Sequence, residues 1–344
     1  MMPPVNGRPL KLGIVGAGLV TSGCHLPALV NMPDVDIQWI CDRSLDVARR
    51  VAQSYKIAHA YSEIAECPDV DVVLVAVPVG ARRAVVPTVL ARGWHAFCEK
   101  PFATTLFEHD AYLADAARYG VQIGVAQVRR YTEQTMTGRK LLQRHAYGPI
   151  LGVAAAEGAR LRRTNRGSGW YVPDTAASGG MFAELGVHLV DQVLFVLGAT
   201  DVSVRSCSQA IHLDLDLTTS VLADVTTAAG ATIACGMEFS VVEDLCNGIF
   251  VEFADCVLHL GSFLGDSITL RSRDGDTLGE FALREGATSL FEAFCLEWRD
   301  FLRQCRTGAP SLADAASVRP TTALIEACSA RSRTTDAVIA EVVR

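Results

Sequence analysis

The sequence predicts an α/β fold, a doubly wound parallel sheet, followed by an α+β domain. Three observations carry the prediction. Five continuous apolar runs alternate with amphipathic stretches between Leu12 and Val125. The first run is followed at once by a glycine pair. After Gly148-Pro149 the chain turns to β-branched runs separated by turn residues.

The runs are Leu12 to Val15, Val35 to Cys41, Val72 to Ala76, Ala96 to Cys98 and Val121 to Val125. Helical stretches at Ser44 to Tyr55, Arg82 to Arg92 and Thr105 to Tyr119 lie between them. Strands that are apolar throughout need cover on both faces, and crossover helices provide it. Beyond Pro149, Val202 to Leu213, Ser220 to Thr227, Ala231 to Phe239, Gly248 to Phe253 and Ser267 to Arg271 read as strands of a mostly antiparallel sheet. Turns fall at Ala229-Gly230 and Asp274-Gly275-Asp276. One helix, Gly180 to Leu197, interrupts the strands, and two more, Ser289 to Arg306 and Pro320 to Val342, follow them.

Composition narrows the function. A chain of 344 residues fits two domains. The 31 basic and 38 acidic residues give a net charge of −7, which excludes general nucleic-acid binding and adsorption to an anionic membrane. The 11 cysteines form no Cys-x-x-Cys pair and have no histidine at zinc-site spacing. They read as reduced thiols of a cytoplasmic protein, with no metal site. Met1 to Leu10 is not expected to be a secretory signal, and no apolar run is long enough to span a membrane.

The first chemical signal is Gly16-Ala17-Gly18-Leu19-Val20-Thr21. Glycine at 16 permits a tight turn, glycine at 18 lets a pyrophosphate approach the backbone, and the following helix start offers free N–H groups. Thr21 stands where the fingerprint has its third glycine. The second run ends at Asp42, 24 residues after Gly18, where a carboxylate can accept the ribose hydroxyls of an adenosine. Asp42 favours NAD(H). Arg43 keeps NADP(H) as the alternative, because a guanidinium can hold the extra phosphate.

The second signal is Phe97-Cys98-Glu99-Lys100-Pro101 at a strand end. Pro101 biases Lys100 towards extended backbone. With His25-Leu26-Pro27-Ala28-Leu29, Arg130-Tyr131, Gly148 to Gly152, Ser178-Gly179-Gly180 and Glu184 to Asp191, the chain resembles the glucose–fructose oxidoreductase, inositol dehydrogenase and rhizopine catabolism (Gfo/Idh/MocA) family over nearly its whole length. The resemblance implies an N-terminal Rossmann domain at 1–127 and a substrate-binding and oligomerisation domain at 128–344. The second domain would hold a large open sheet, and its final helices are free to pack back on the first. It also implies an active site between the domains and a homodimer or homotetramer through the free sheet face.

The activity so implied is hydride transfer between nicotinamide and a secondary alcohol or ketone of a sugar or nucleotide sugar. The alternatives are a cyclitol dehydrogenase and a catalytically silent dinucleotide-binding regulator. Glu184, His188 and Asp191 are spaced four and three apart, so one helix face is expected to carry all three. His188 is expected as acid/base, Lys100 as the group stabilising the reacting oxygen, and Glu184 as their orienting partner where relatives usually carry Asp. Gly16, Gly18, Leu19, Val20, Asp42, Arg43, Val77, Pro78, Glu99, Lys100 and Pro101 are the expected cofactor-binding residues. For substrate they are Arg130, Arg160, Arg162, Arg163, Trp170, Tyr171 and Asp191; arginine forks suit anionic groups and aromatic rings suit a sugar face. Arg82 stands where relatives often have His, either salt-bridged elsewhere or gripping an anion.

Overall fold

The computed structural model describes residues 7–160, 180–212, 215–262, 264, 267–283 and 285–330. The chain forms two compact units. The first runs to Val128 and takes in Ser289–Val318, and the second is Arg129–Thr288 with the chain from Arg319. Eight α-helices are described: α1 Leu26–Leu29, α2 Leu45–Tyr55, α3 Arg82–Ala91, α4 Leu106–Tyr119, α5 Glu133–Gln143, α6 Val187–Leu197, α7 Leu290–Thr307 and α8 Arg319–Ser329. None is long and apolar enough to cross a membrane.

In the first unit the strands are β1 Leu10–Val15, β2 Val35–Cys41, β3 His59–Tyr61, β4 Val72–Val75, β5 His95–Cys98 and β6 Ile123–Val125. They pair in the order β3-β2-β1-β4-β5-β6, every ladder parallel. All four residues of β4 are buried, as an all-apolar central strand demands. The edge strand β3 has no fully buried residue and no apolar run, so the sequence did not announce it. α4 begins with an N-cap in which Glu108 N donates to Thr105 Oγ1 at 3.2 Å, and it ends on left-handed Gly120. α7 lays Trp298 and Phe301 on Phe97 of β5, with ring centroids 4.4 and 4.9 Å apart. The strand order reverses between β1 and β4, so the carboxyl ends of β1, β4 and β5 adjoin there. This is where open α/β sheets bind ligands.

The second unit is built on eight strands: β7 Gly152–Gly158, β8 Ala199–His212, β9 Leu215–Thr227, β10 Thr232–Ser240, β11 Gly248–Glu252, β12 Cys256–Leu260, β13 Ile268–Ser272 and β14 Thr277–Phe281. Their order is β14-β13-β12-β11-β7-β10-β9-β8, and only β7 with β10 is parallel. Val221, Ala223 and Val225 of β9 are buried in one core with Leu189, Val190 and Val193 of α6 and with Leu324 and Ile325 of α8. The single helix expected from Gly180 to Leu197 is instead a π-helical turn, Phe182–Gly186, running into α6. Of the stretch expected from Pro320 to Val342, α8 is described to Ser329, and residues 331–344 lie outside the described residues.

Candidate active site

The glycine loop leaves β1 at Gly16, whose φ is +103°. A Cβ there would lie 2.4 Å from the carbonyl oxygen of Ala76, so only glycine lets the β1 and β4 ends come this close. A Cβ at Gly18 would stand in open space, and the missing side chain leaves a cradle beside exposed Leu19. Thr21, in place of the third glycine, is buried and donates from Oγ1 to Gly16 O at 2.7 Å, closing the loop on itself. The loop enters a π-helical turn, Thr21–His25, before α1. Such turns recur at functional sites. Half-buried Asp42 directly follows β2 and accepts from Ala17 N at 2.9 Å and Ser44 N at 3.0 Å. Each carboxylate oxygen keeps lone-pair capacity for a hydroxyl group. Arg43 is exposed. The donor set, the open cradle and the carboxylate fit the pyrophosphate and ribose of a dinucleotide.

Beyond β5 the chain turns through Glu99, Lys100 and Pro101, with a cis Lys100–Pro101 bond. Glu99 is buried, and its carboxylate is used internally. Its Oε1 lies 2.8 Å from His25 Nε2, and its Oε2 accepts from Lys100 N at 3.0 Å. Burial pushes the Glu99 carboxyl up. The hydrogen bond from His25 and the surrounding positive groups, including Lys100 and Arg82, outweigh that and hold it below the usual carboxylate range. Arg82 is buried as well. It donates to Val77 O at 3.1 Å, to the carbonyls of Glu99 and Pro101, and to Lys100 O at 3.4 Å. Its guanidinium therefore clasps the turn. Val77 is half-buried and Pro78 exposed beside it.

In the second unit the π-helical turn carries Glu184, and α6 carries His188 and Asp191. Glu184 and His188 are half-buried in a segment otherwise mostly buried. Asp191 does not share their environment. It is 1% exposed and forms a bidentate pair with Arg130, which is also 1% exposed, at 2.7 and 2.6 Å. Thr321 Oγ1 adds a third bond to Asp191 at 2.9 Å. Arg130 and Asp191 are thus bound to each other rather than open to substrate, because nearly every residue of α6 is buried and an acid there needs a partner. Asp216 on β9, which the sequence reading missed, accepts from Met181 N at 2.5 Å and Phe182 N at 2.9 Å. It caps the segment that bears Glu184 and His188. Arg160 is exposed, and its N donates to Asp244 at 3.3 Å. Arg162, Arg163, Trp170 and Tyr171 lie outside the described residues.

The oxidoreductase family model with an NAD-binding Rossmann fold matches residues 10–127, and the GFO/IDH/MocA C-terminal domain model matches residues 135–249. The chain belongs to the Gfo/Idh/MocA family. Its relatives include scyllo-inositol 2-dehydrogenase (NADP(+)) of Bacillus subtilis, 26% identical over 55% of this chain and 52% of the relative. D-glucoside 3-dehydrogenase of Escherichia coli is 26% identical over 58% and 57%. The matched region thus spans about half the length of these two curated relatives. A putative UDP-kanosamine synthase oxidoreductase subunit of Amycolatopsis mediterranei is 30% identical over 71% of this chain and 65% of its own. Among solved structures, KijD10, a 3-ketoreductase from Actinomadura kijaniata in complex with NADP and TDP-benzene, shares the fold with a TM-score of 0.80 at 18% identity, covering 95% of this chain and 99% of that one. Thr21, where the glycine fingerprint has its third glycine, and Arg82 both have local structural uses, a loop-closing hydroxyl and a carbonyl clasp.

Proposed function

We propose that this protein is an NAD(P)-dependent oxidoreductase acting on a CH–OH group of a sugar or nucleotide sugar. The observation that carries the reading lies in the first unit. The carboxyl ends of β1, β2 and β5 there bear an open glycine cradle, a ribose-ready Asp42 and a braced Lys100. When bound, the nicotinamide would accept or supply the hydride. Gly16, Gly18, Leu19 and Val20 would hold the pyrophosphate, and Asp42 the adenosine ribose, which favours NAD(H) over NADP(H).

In this reading His188 takes the hydroxyl proton as the alcohol is oxidised and returns it in reduction, a task matched to an imidazole near neutral pH. Lys100 donates to the reacting oxygen and stabilises its developing negative charge. Glu184 orients these groups. Arg160 and the neighbouring arginine-rich stretch select an anionic substrate group. The reading includes a homodimer or homotetramer through the second sheet's free face. The B. subtilis relative favours one alternative substrate, a cyclitol ring, which the same chemistry serves.

Lys100→Ala and His188→Ala test the roles against a panel of sugars, cyclitols and nucleotide sugars. Each is expected to lower kcat at least about a hundredfold, with NADH binding kept within a few fold. Turnover surviving in both variants overturns the assignment.

A further inference from the structure

Beneath the Glu-Lys-Pro turn, three elements of the first unit close on one imidazole. His25, at the end of the π-helical turn, is fully buried and edge-on to Phe97, Phe294 and Trp298. Trp298 Nε1 lies 2.9 Å from His25 Nδ1. An indole N–H can only donate, so Nδ1 is the acceptor and the ring proton sits on Nε2. That Nε2–H points at Glu99 Oε1, 2.8 Å away. Glu99 Oε2 in turn holds Lys100 N at 3.0 Å. The line therefore has a fixed direction: Trp298 sets the tautomer of His25, His25 donates to Glu99, and Glu99 pins the Lys100 backbone.

One group in this cluster has no partner. Glu297, one residue before Trp298 on α7, is 0% exposed, and neither carboxyl oxygen makes a hydrogen bond. Burial and the Glu99 charge raise its proton affinity well above that of an ordinary carboxyl. The titratable and charged groups around it are Glu99, with Lys100 beside it in the same turn, Cys24 and His25 of the π-helical turn, and Arg82 of α3, which acts on Glu99.

We propose that Trp298, His25 and Glu99 are positioning residues that fix the backbone from which Lys100 reaches the reacting oxygen, and that Glu297 makes this hold sensitive to pH. While Glu297 keeps its proton, Glu99 is the single negative charge of the pair and holds Lys100 N. When Glu297 ionises, a second buried and unpartnered negative charge joins that of Glu99 in this cluster, and the hold on Lys100 loosens. The proposal rests on the reading of Lys100 as the group at the reacting oxygen, but its test needs no turnover.

The chain has only four lysines, Lys11, Lys56, Lys100 and Lys140. Acetic anhydride labelling of the full-length protein across pH, read by mass spectrometry, therefore reports on Lys100 with three internal controls. In the wild type, Lys100 reactivity is expected to follow two ionisations, its own and that of Glu297. Glu297→Gln should leave one. Trp298→Phe, which keeps a ring but loses the donor, and His25→Gln should each change Lys100 reactivity at neutral pH by at least about threefold, with the other lysines unmoved. Nitrogen-15 NMR should find His25 protonated at Nε2 in the wild type. A Lys100 profile identical in the wild type and in all variants that remain folded overturns the proposal, as does a His25 protonated at Nδ1. If Lys100 responds as expected but Lys100→Ala still turns over, the positioning line stands and the catalytic reading falls.

Discussion

Glu297 also marks the stability of the molecule. Below the ordinary carboxylate pKa, the folded and unfolded chains both hold its proton. Above it, the unfolded chain releases the proton and the folded chain does not, so stability falls as pH rises until Glu297 ionises in place. Each pH unit crossed in that window costs the wild type up to about 1.4 kcal/mol, roughly 3–6 °C of Tm. Glu297→Gln should flatten this slope in a series of thermal melts between pH 5 and 8 (about the range where such a shift acts). An unchanged slope would mean that Glu297 is ionised in the fold. Glu99 acts with the opposite sign, its stabilisation being present above the ordinary carboxylate pKa and lost as pH falls through its lowered value. In the second unit, Arg130→Ala leaves the buried Asp191 charge uncompensated and should cost about 3–5 kcal/mol in urea unfolding. A loss below about 1 kcal/mol would contradict a buried pair. Lys100 and Asp42 stood out in the sequence as candidates because each belongs to a local motif. The pairing of Asp191 with Arg130 was not legible because the partners lie 61 positions apart, and no spacing rule reports such a pair.

At the scale of elements, the segment bearing Glu184 and His188 depends on the contact between Gly180 and Asp216. Gly180 has φ +94°, and a Cβ on it would lie 2.5 Å from Asp216 Oδ1. Gly180→Ala should therefore strain the backbone and displace the cap, at about 1–3 kcal/mol. Hydrogen exchange should speed up at the Met181 and Phe182 amides, and exchange as slow as in the wild type would show that Asp216 is not their anchor. The parallel strands of the first unit were legible because double-sided burial writes unbroken apolar runs. β14, Thr277–Phe281, alternates polar and apolar residues around a glycine and has no buried residue, so it left little signal. The two π-helical turns were invisible for another reason. A single widened turn bonds i→i+5 and shifts the apolar spacing by only one residue, too little to stand out in a short helical segment.

At the scale of the molecule, the first unit is discontinuous in sequence, since α7 returns to bury Phe97 of the Rossmann sheet and His25 of the π-helical turn. Amphipathic spacing announced α7 as a helix, but spacing does not say which core a helix joins. The central claim is that the β1 loop and Asp42 hold a dinucleotide. Titration of the purified protein with NADH and with NADPH, followed by nucleotide fluorescence, tests it most directly. The account predicts saturable binding with NADH at least about tenfold tighter, a difference of about 1.4 kcal/mol. Tighter NADPH binding would contradict the role given to Asp42, and binding of neither nucleotide would contradict the dinucleotide site itself.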